Sequence, residues 1–305
     1  MDLELKGKAA IVGGGSSGIG YAIAHRLVQE GARVLVWARG KDALETAAKR
    51  IHDETGGEVV VVEADIHKPA DNLRVVETAV AVFGRLDILI NNDGAPPLGA
   101  LLEFDDAAWQ KAIQQNLMSV IRACGAAIPH MRKTGGGRII NITAISARQP
   151  AAGFGLSVAT WAGLIGYAKT LSLEVGPDNI TVNTICPGRI DTPLSQRGFE
   201  RAAKGDAARA KEMLDTLVRN TPVRRIGVPE DIAGVVAFLA SAQASFITGV
   251  TLPVDGGRSF HGFRGPPRYA TWRSSSARRR SSASAWPTRR SRGLGSPCCF
   301  RSRMH

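Results

Sequence analysis

Short apolar runs alternate with helical stretches of ten or more residues along most of this chain, and that alternation restricts the fold more than any single motif. "KAAIVGG" is apolar up to its glycines, as a strand covered on both faces must be. "GIGYAIAHRLVQEGA" follows, with Ile19, Ile23 and Leu27 on one helical face and Gly31 as a stop. "RVLVWAR", a helix around 41–53, "EVVVVEAD", a helix around 69–83 and "LDILINND" continue the pattern. "GRIINITAIS", "NITVNTICPG" and "GVTLPVDGG" repeat it in the second half. Strands so separated pair in parallel, and right-handed crossovers put helices on both faces of the sheet. The sequence predicts an α/β, doubly wound parallel sheet in a three-layer sandwich, with residues 1–260 as a single domain.

The net charge of +12 invites a nucleic-acid reading that its distribution rejects. Eleven of the 39 basic residues, all Arg, fall from His261 onward, where there is no acid; residues 1–260 therefore hold 28 basic against 27 acidic residues. A nucleic-acid interface needs a basic excess built into the fold. Residues 261–305, rich in Arg and Ser, lack the aliphatic content to offset ordering entropy and are expected to be disordered. Arg without Lys, among Ser, Pro, Gly and Ala, resembles GC-rich DNA read in a shifted frame; the other reading is a genuine basic tail for an acidic surface. No apolar run approaches the roughly 20 residues of a membrane span. The start, "MDLELKGKAA", lacks a signal-peptide pattern. A cytoplasmic protein is expected. Cys124, Cys186, Cys298 and Cys299 have neither zinc-site nor CxxC spacing, so no metal is expected.

"VGGGSSGIG", residues 12–20, joins the first strand to the first helix. Glycines there let backbone approach a pyrophosphate, which the free N–H groups and dipole of the helix N-terminus favour. Read alone, the stretch is either that or a bare tight turn.

The spacing of Gly14, Gly18 and Gly20 resembles the TGxxxGIG element of the short-chain dehydrogenase/reductases, and most nearly that of the 3-oxoacyl-(acyl-carrier-protein) reductases among them. "NNDG" at 91–94 is similar to the family's NNAG, Asn116 in "QQNLMSV" to its helix asparagine, "PGRIDTP" at 187–193 to its PG motif, and "VDGG" at 254–257 to its closing strand. The resemblance covers residues 5–260 and implies a Rossmann-like fold that binds a dinucleotide. Ser16, Ser17 and Ile19 would join the three glycines around the pyrophosphate. Asp65 and Ile66 would hold the adenine, with Asn92 and Gly94 beside the cofactor. Pro187, Gly188, Ile190 and Thr192 would line the nicotinamide side. The second strand ends in Arg39 rather than an acid, which favours NADP(H) over NAD(H), although a solvated loop arginine would read the same way.

The same resemblance implies a catalytic Ser, Tyr and Lys, and all three differ here. Ala144 stands at the serine position, Ser157 at the tyrosine and Trp161 at the lysine; Asn116 is kept. A phenol or alcohol is a poor acid or base until a cation stabilises its anion. Tyr167 and Lys169 cannot substitute, because residues two apart point about 200° apart on a helix. Ser146, two residues past Ala144, would polarise a carbonyl or cap the strand. Arg148 would anchor an anionic substrate or face solvent. Asp93 would serve as base or bond to backbone. Trp161 would stack on substrate or fill the volume of the lysine.

The family implies an NADP(H)-dependent oxidoreductase acting on a small-molecule carbonyl or alcohol, with a non-standard active site. The alternatives are a non-redox lyase, cyclase or isomerase and an inactive cofactor-binding subunit. Helices spanning about 106–132 and 157–175 would pair copies into a homotetramer or dimer. The charged helical stretch after Thr192 would form a lid.

Overall fold

The computed structural model describes residues 2–92 and 94–259; Asp93 and the 261–305 segment lie outside them. The described residues fall within one compact unit, Met1–Gly262. Seven strands form one parallel sheet: β1 (Ala9–Gly13), β2 (Arg33–Ala38), β3 (Val59–Glu63), β4 (Ile88–Asn92), β5 (Gly137–Ile142), β6 (Ile180–Pro187) and β7 (Thr251–Val254). Their spatial order is β3-β2-β1-β4-β5-β6-β7. The chain thus builds outward from β1 in one direction and from β4 in the other. Between those two strands lies the switch point where open α/β sheets form their crevice.

Helices α1 (Gly18–Gln29), α2 (Lys41–Thr55) and α9 (Pro229–Ala240) cover one face. Helices α3 (Pro69–Phe83), α5 (Ser119–Lys133) and α6 (Gly155–Val175) cover the other. Two apolar layers result. Ile23, Leu27, Val34 and Val236 belong to the first, Ile11, Leu35, Leu89 and Ile139 to the second. Consecutive β1 and β2 residues serve opposite layers, which is why those runs are apolar without alternation.

The register brings the functional loops to one edge. Gly13 pairs with Trp37, Asn92 with Ile142 and Pro187 with Val254. The loops carrying the glycines, Gly94, Ala144 and Gly188 therefore all leave the C-terminal edge. The helix expected over 106–132 is interrupted: α4 (Asp106–Ile113) passes through a π-turn at Gln114–Met118 into α5. The stretch after Thr192 is two helices, α7 (Pro193–Ala203) and α8 (Ala207–Arg219), because Lys204 and Gly205 take positive φ of 54° and 79° and Asp206 caps α8. No described helix is long and apolar enough to cross a membrane.

At the opposite edge, Asp87 secures the start of the sheet. Its carboxylate accepts from Ala9 N at 2.9 Å and from Arg85 Nε and Nη2 at 2.8 and 2.6 Å. Lys8 adds a longer ion pair at 3.7 Å. Replacing Asp87 with Ala leaves a buried N–H and two cations without their acceptor. We expect chemical denaturation to show a loss of about 2–4 kcal/mol.

Candidate active site

The loop from β1 to α1 is held open by close contacts that exclude side chains. Gly14 has φ +62°, and a Cβ on Gly20 would stand 2.2 Å from the Gly14 carbonyl oxygen. Ser17 is the N-cap residue of α1 but makes no side-chain cap bond, and the first turn has no acid. The first N–H groups of α1 are thus left for an anion. Asn92 Nδ2 donates to the Gly13 carbonyl at 3.0 Å and ties the loop to β4. A Cβ on Gly18 would lie 3.3 Å from Thr192 Cγ2, so the segment after β6 crosses the start of the same helix.

These contacts bring Gly14, Gly18, Gly20, Asn92 and Thr192 together. Ser16 and Ile19 lie half-buried in the loop, while Ser17 faces solvent. The Gly94 carbonyl accepts from Gln115 Nε2. Pro187 is buried, and Gly188 abuts Asp255, where a Cβ would meet that residue's Cβ at 2.6 Å. Ile190, 6% exposed, bridges to Gly227. The Thr192 hydroxyl accepts from Ser195 N at 3.1 Å and so caps α7.

Arg39 leaves β2 exposed, with no hydrogen bond or ion pair among the described residues. The β3–α3 turn nearby is held by its own acids and amides. Asp65 N donates to Asp71 Oδ2 at 2.9 Å, Asp65 Oδ1 accepts from His67 N at 3.1 Å, and the Ile66 carbonyl accepts from Asn72 Nδ2 at 3.0 Å. Burial pushes the His67 imidazole pKa down; Lys111 and Arg39 act in the same direction and Asp65 opposes them.

Around the first turns of α6 the polar groups are sealed from solvent. Ala144 ends the extended segment after β5, and a 3₁₀ turn, Ile145–Ala147, follows it. Ser146 is 7% exposed and Ser157 1%, and neither hydroxyl has a partner. Trp161, 5% exposed, packs into the second apolar layer with its indole N–H unpaired. Asn116 lies in the π-turn and donates from Nδ2 to Thr160 Oγ1 at 2.9 Å, while its Oδ1 accepts nothing. Each unpartnered buried group costs about 1–3 kcal/mol. Above them, Gly99 N donates to the Gly153 carbonyl at 3.0 Å and Leu101 packs on Gly155, so the 94–104 loop covers the start of α6.

Arg148 is exposed and donates from Nη1 to the Thr251 carbonyl at 3.3 Å, on the edge strand. Tyr167 lies deeper along α6; burial pushes its phenol pKa up, with a smaller contribution from Cys124.

The matched family model, enoyl-(acyl carrier protein) reductase, covers residues 14–259. The chain belongs to the short-chain dehydrogenase/reductase family. The 3-oxoacyl-(acyl-carrier-protein) reductase of Chlamydia muridarum is 37% identical over 84% of this chain and 99% of its own length. Human dehydrogenase/reductase SDR family member 4 is 37% identical over 83% of this chain and 88% of its own. Among solved structures, L-sorbose reductase of Gluconobacter frateurii, complexed with NADPH and L-sorbose, superposes with a TM-score of 0.81 at 36% identity, over 85% of this chain and 98% of that one. These relatives are oxidoreductases by name, and the chain shares their seven-stranded Rossmann-like fold.

Within this short-chain dehydrogenase/reductase, sequence reasoning missed Thr160 and Gln115, whose bonds orient Asn116 and Gly94. Neither had a signal, since each acts through a helix distant in sequence. The glycine contacts yield a test. Gly20→Ala drives a Cβ into the Gly14 carbonyl, and the gain in helix propensity, about 1 kcal/mol, is too small to offset overpacking of about 1–3 kcal/mol. A lower Tm and weakened dinucleotide binding are expected, read by thermal denaturation and nucleotide fluorescence.

Proposed function

We propose that this chain is an NADP(H)-dependent oxidoreductase that acts on a small-molecule carbonyl or alcohol through a non-standard active site. The observation that carries the cofactor assignment is the cradle at the α1 N-terminus, closed by Asn92 on one side and Thr192 on the other. Gly14, Gly18 and Gly20 would take the pyrophosphate against the uncapped N–H groups. Arg39, exposed just past the end of β2, would take a 2′-phosphate, with Asp65 and Ile66 at the adenine. The solved relatives with NADPH, the sorbose reductase and the actinorhodin polyketide ketoreductase (33% identical, TM-score 0.78), support the same choice. A bound nicotinamide supplies the hydride.

The chain's own residues handle the substrate oxygen differently from the Ser, Tyr and Lys of the family resemblance. The Ser146 and Ser157 hydroxyls are the unsatisfied donors near Ala144 and would bond that oxygen. Neither has a cation to make it acidic, so the proton reaching the alkoxide comes ultimately from solvent and turnover is slow. Entry to these sealed hydroxyls requires the 94–104 loop to lift from α6. Asp93, immediately before that loop in sequence, and Arg148, two residues past Ser146, are accessory substrate contacts in this reading. Comparison with relatives lends no support to a lyase, cyclase, isomerase or inactive subunit. The reading includes a cytoplasmic setting, in keeping with the buried Cys124 and Cys186, neither of which is in a disulfide. It also includes a dimer or tetramer through α4–α5 and α6, on which Leu173 is 68% exposed.

Fluorescence titration with NADPH and NADH tests the cofactor. Arg39→Glu should weaken NADPH at least tenfold, by placing an acid against the phosphate, and change NADH little. Failure of the native chain to bind NADPH would sink the assignment.

Turnover on a panel of ketones and aldehydes tests the site. Ala144→Ser, Ser157→Tyr and Trp161→Lys together should raise ketone reduction by at least tenfold over the native chain. A triple variant that folds, binds NADPH and gains nothing refutes the proposed assignment of those positions.

A further inference from the structure

The loop at 94–102, "GAPPLGALL", and the segment at 150–154, "PAAGF", contain no polar side chain, and most of their residues are exposed. They meet at Gly99, whose N–H donates to the Gly153 carbonyl at 3.0 Å and whose backbone bridges to Phe154. Leu101 packs on Gly155 at the start of α6, where a Cβ would stand 2.0 Å from Leu101 Cδ2. Leu98 and Leu101 are 55% and 53% exposed, Phe154 36% and Leu102 100%. Four large apolar side chains thus stand in water on two segments joined by one bridge. Polar residues resume at Glu103 and Asp105 after the loop, and Arg148 and Gln149 precede the segment. An apolar patch with a polar rim marks an interaction site or a ligand-binding groove.

The patch is continuous with the proposed active site at both of its ends. At one end the Gly94 carbonyl accepts from Gln115 Nε2, next to Asn116 in the π-turn. At the other, Gly155 lies two residues before Ser157 on α6. The loop therefore runs from the turn that carries Asn116 to the helix that carries Ser157. When it lifts, as entry requires, Leu101 parts from Gly155 and leaves apolar surface on both sides of the opening. An alkyl chain restores the cover that this surface loses, whereas the hydroxyls of a sugar find no side chain there to bond. We propose that Leu98, Leu101, Leu102 and Phe154 select a ketone or aldehyde with an unbranched alkyl chain, its oxygen at Ser157 and its chain along this patch. A polyhydroxylated ketone, such as the L-sorbose complexed with the solved relative, is disfavoured. This selection rests on the oxidoreductase reading above.

Reduction of the straight-chain methyl ketones from acetone to octan-2-one by the full chain with NADPH tests the selection. The value of kcat/KM should rise about fourfold per added methylene, the ratio that burial of one CH₂ gives, and L-sorbose should not exceed acetone. Leu102→Ser should cut the ratio of octan-2-one to acetone about tenfold, and Leu102→Met should recover most of it. Both variants should keep the native Tm, because the side chain is exposed; a merely structural leucine would lower the Tm and leave the ratio unchanged. Calorimetric titration of the same ketones with NADP⁺ in place of NADPH reads binding without turnover, and octan-2-one should bind at least tenfold more tightly than acetone. Such binding in a chain that reduces no ketone supports the selection and refutes the oxidoreductase reading. Turnover that is flat along the series, or greatest with L-sorbose, overturns the selection and leaves that reading intact. A Leu102→Asp variant that sediments as a smaller species than the native chain, with the chain-length series unaltered, assigns the patch to a second copy and overturns the selection as well.

Discussion

Everything at the C-terminal edge depends on how closely α1 can begin beside the end of β1. Gly20 lies against the Gly14 carbonyl, nearer than any side chain permits, and Asn92 bonds the carbonyl of Gly13. Together these contacts set the direction of the helix and fix β4 beside it. Parallel pairing then delivers every other functional loop to the same edge. The segment after β6 crosses close to Gly18, where a Cβ would lie 3.3 Å from Thr192 Cγ2. The anion-ready helix end is therefore a consequence of backbone packing, reached before any polar side chain is considered.

The two halves of the site hold unpaired polar groups under different conditions. The N–H groups at the start of α1 adjoin exposed Ser17, where water can serve them until a ligand arrives. The Ser146 and Ser157 hydroxyls and the Trp161 indole N–H are buried, with no hydrogen-bond partner among the described residues. At about 1–3 kcal/mol for each unmet group, apolar residues there would stabilise the chain more. The substrate contact proposed for Ser146 and Ser157 draws on hydroxyls kept at that cost.

The periodicity of the chain carries the fold because burial on both faces leaves a direct record: β1 and β2 are apolar without alternation, and Gly31, Gly56 and Gly84 stop or follow helices. The glycine loop was similarly legible, since backbone proximity admits no other residue. Less legible was the π-turn holding Asn116, which is stabilised by Thr160 on another helix and leaves no local pattern. The break between α7 and α8 is hidden for a related reason: Lys204 adopts a left-handed conformation that its side chain does not advertise. Arg148, which the sequence places either at an anionic substrate or in solvent, is exposed and bonds the Thr251 carbonyl of the outermost strand.

Desolvation gives the arginines of this protein different roles. Arg39 stands in water, where an unpaired guanidinium costs almost nothing. Arg189 and Arg258 are partly withdrawn from water, and burial lowers the pKa of both. The Arg189 guanidinium also holds α7, through the Ser195 carbonyl and the face of the Phe199 ring, so its position sets where that helix begins.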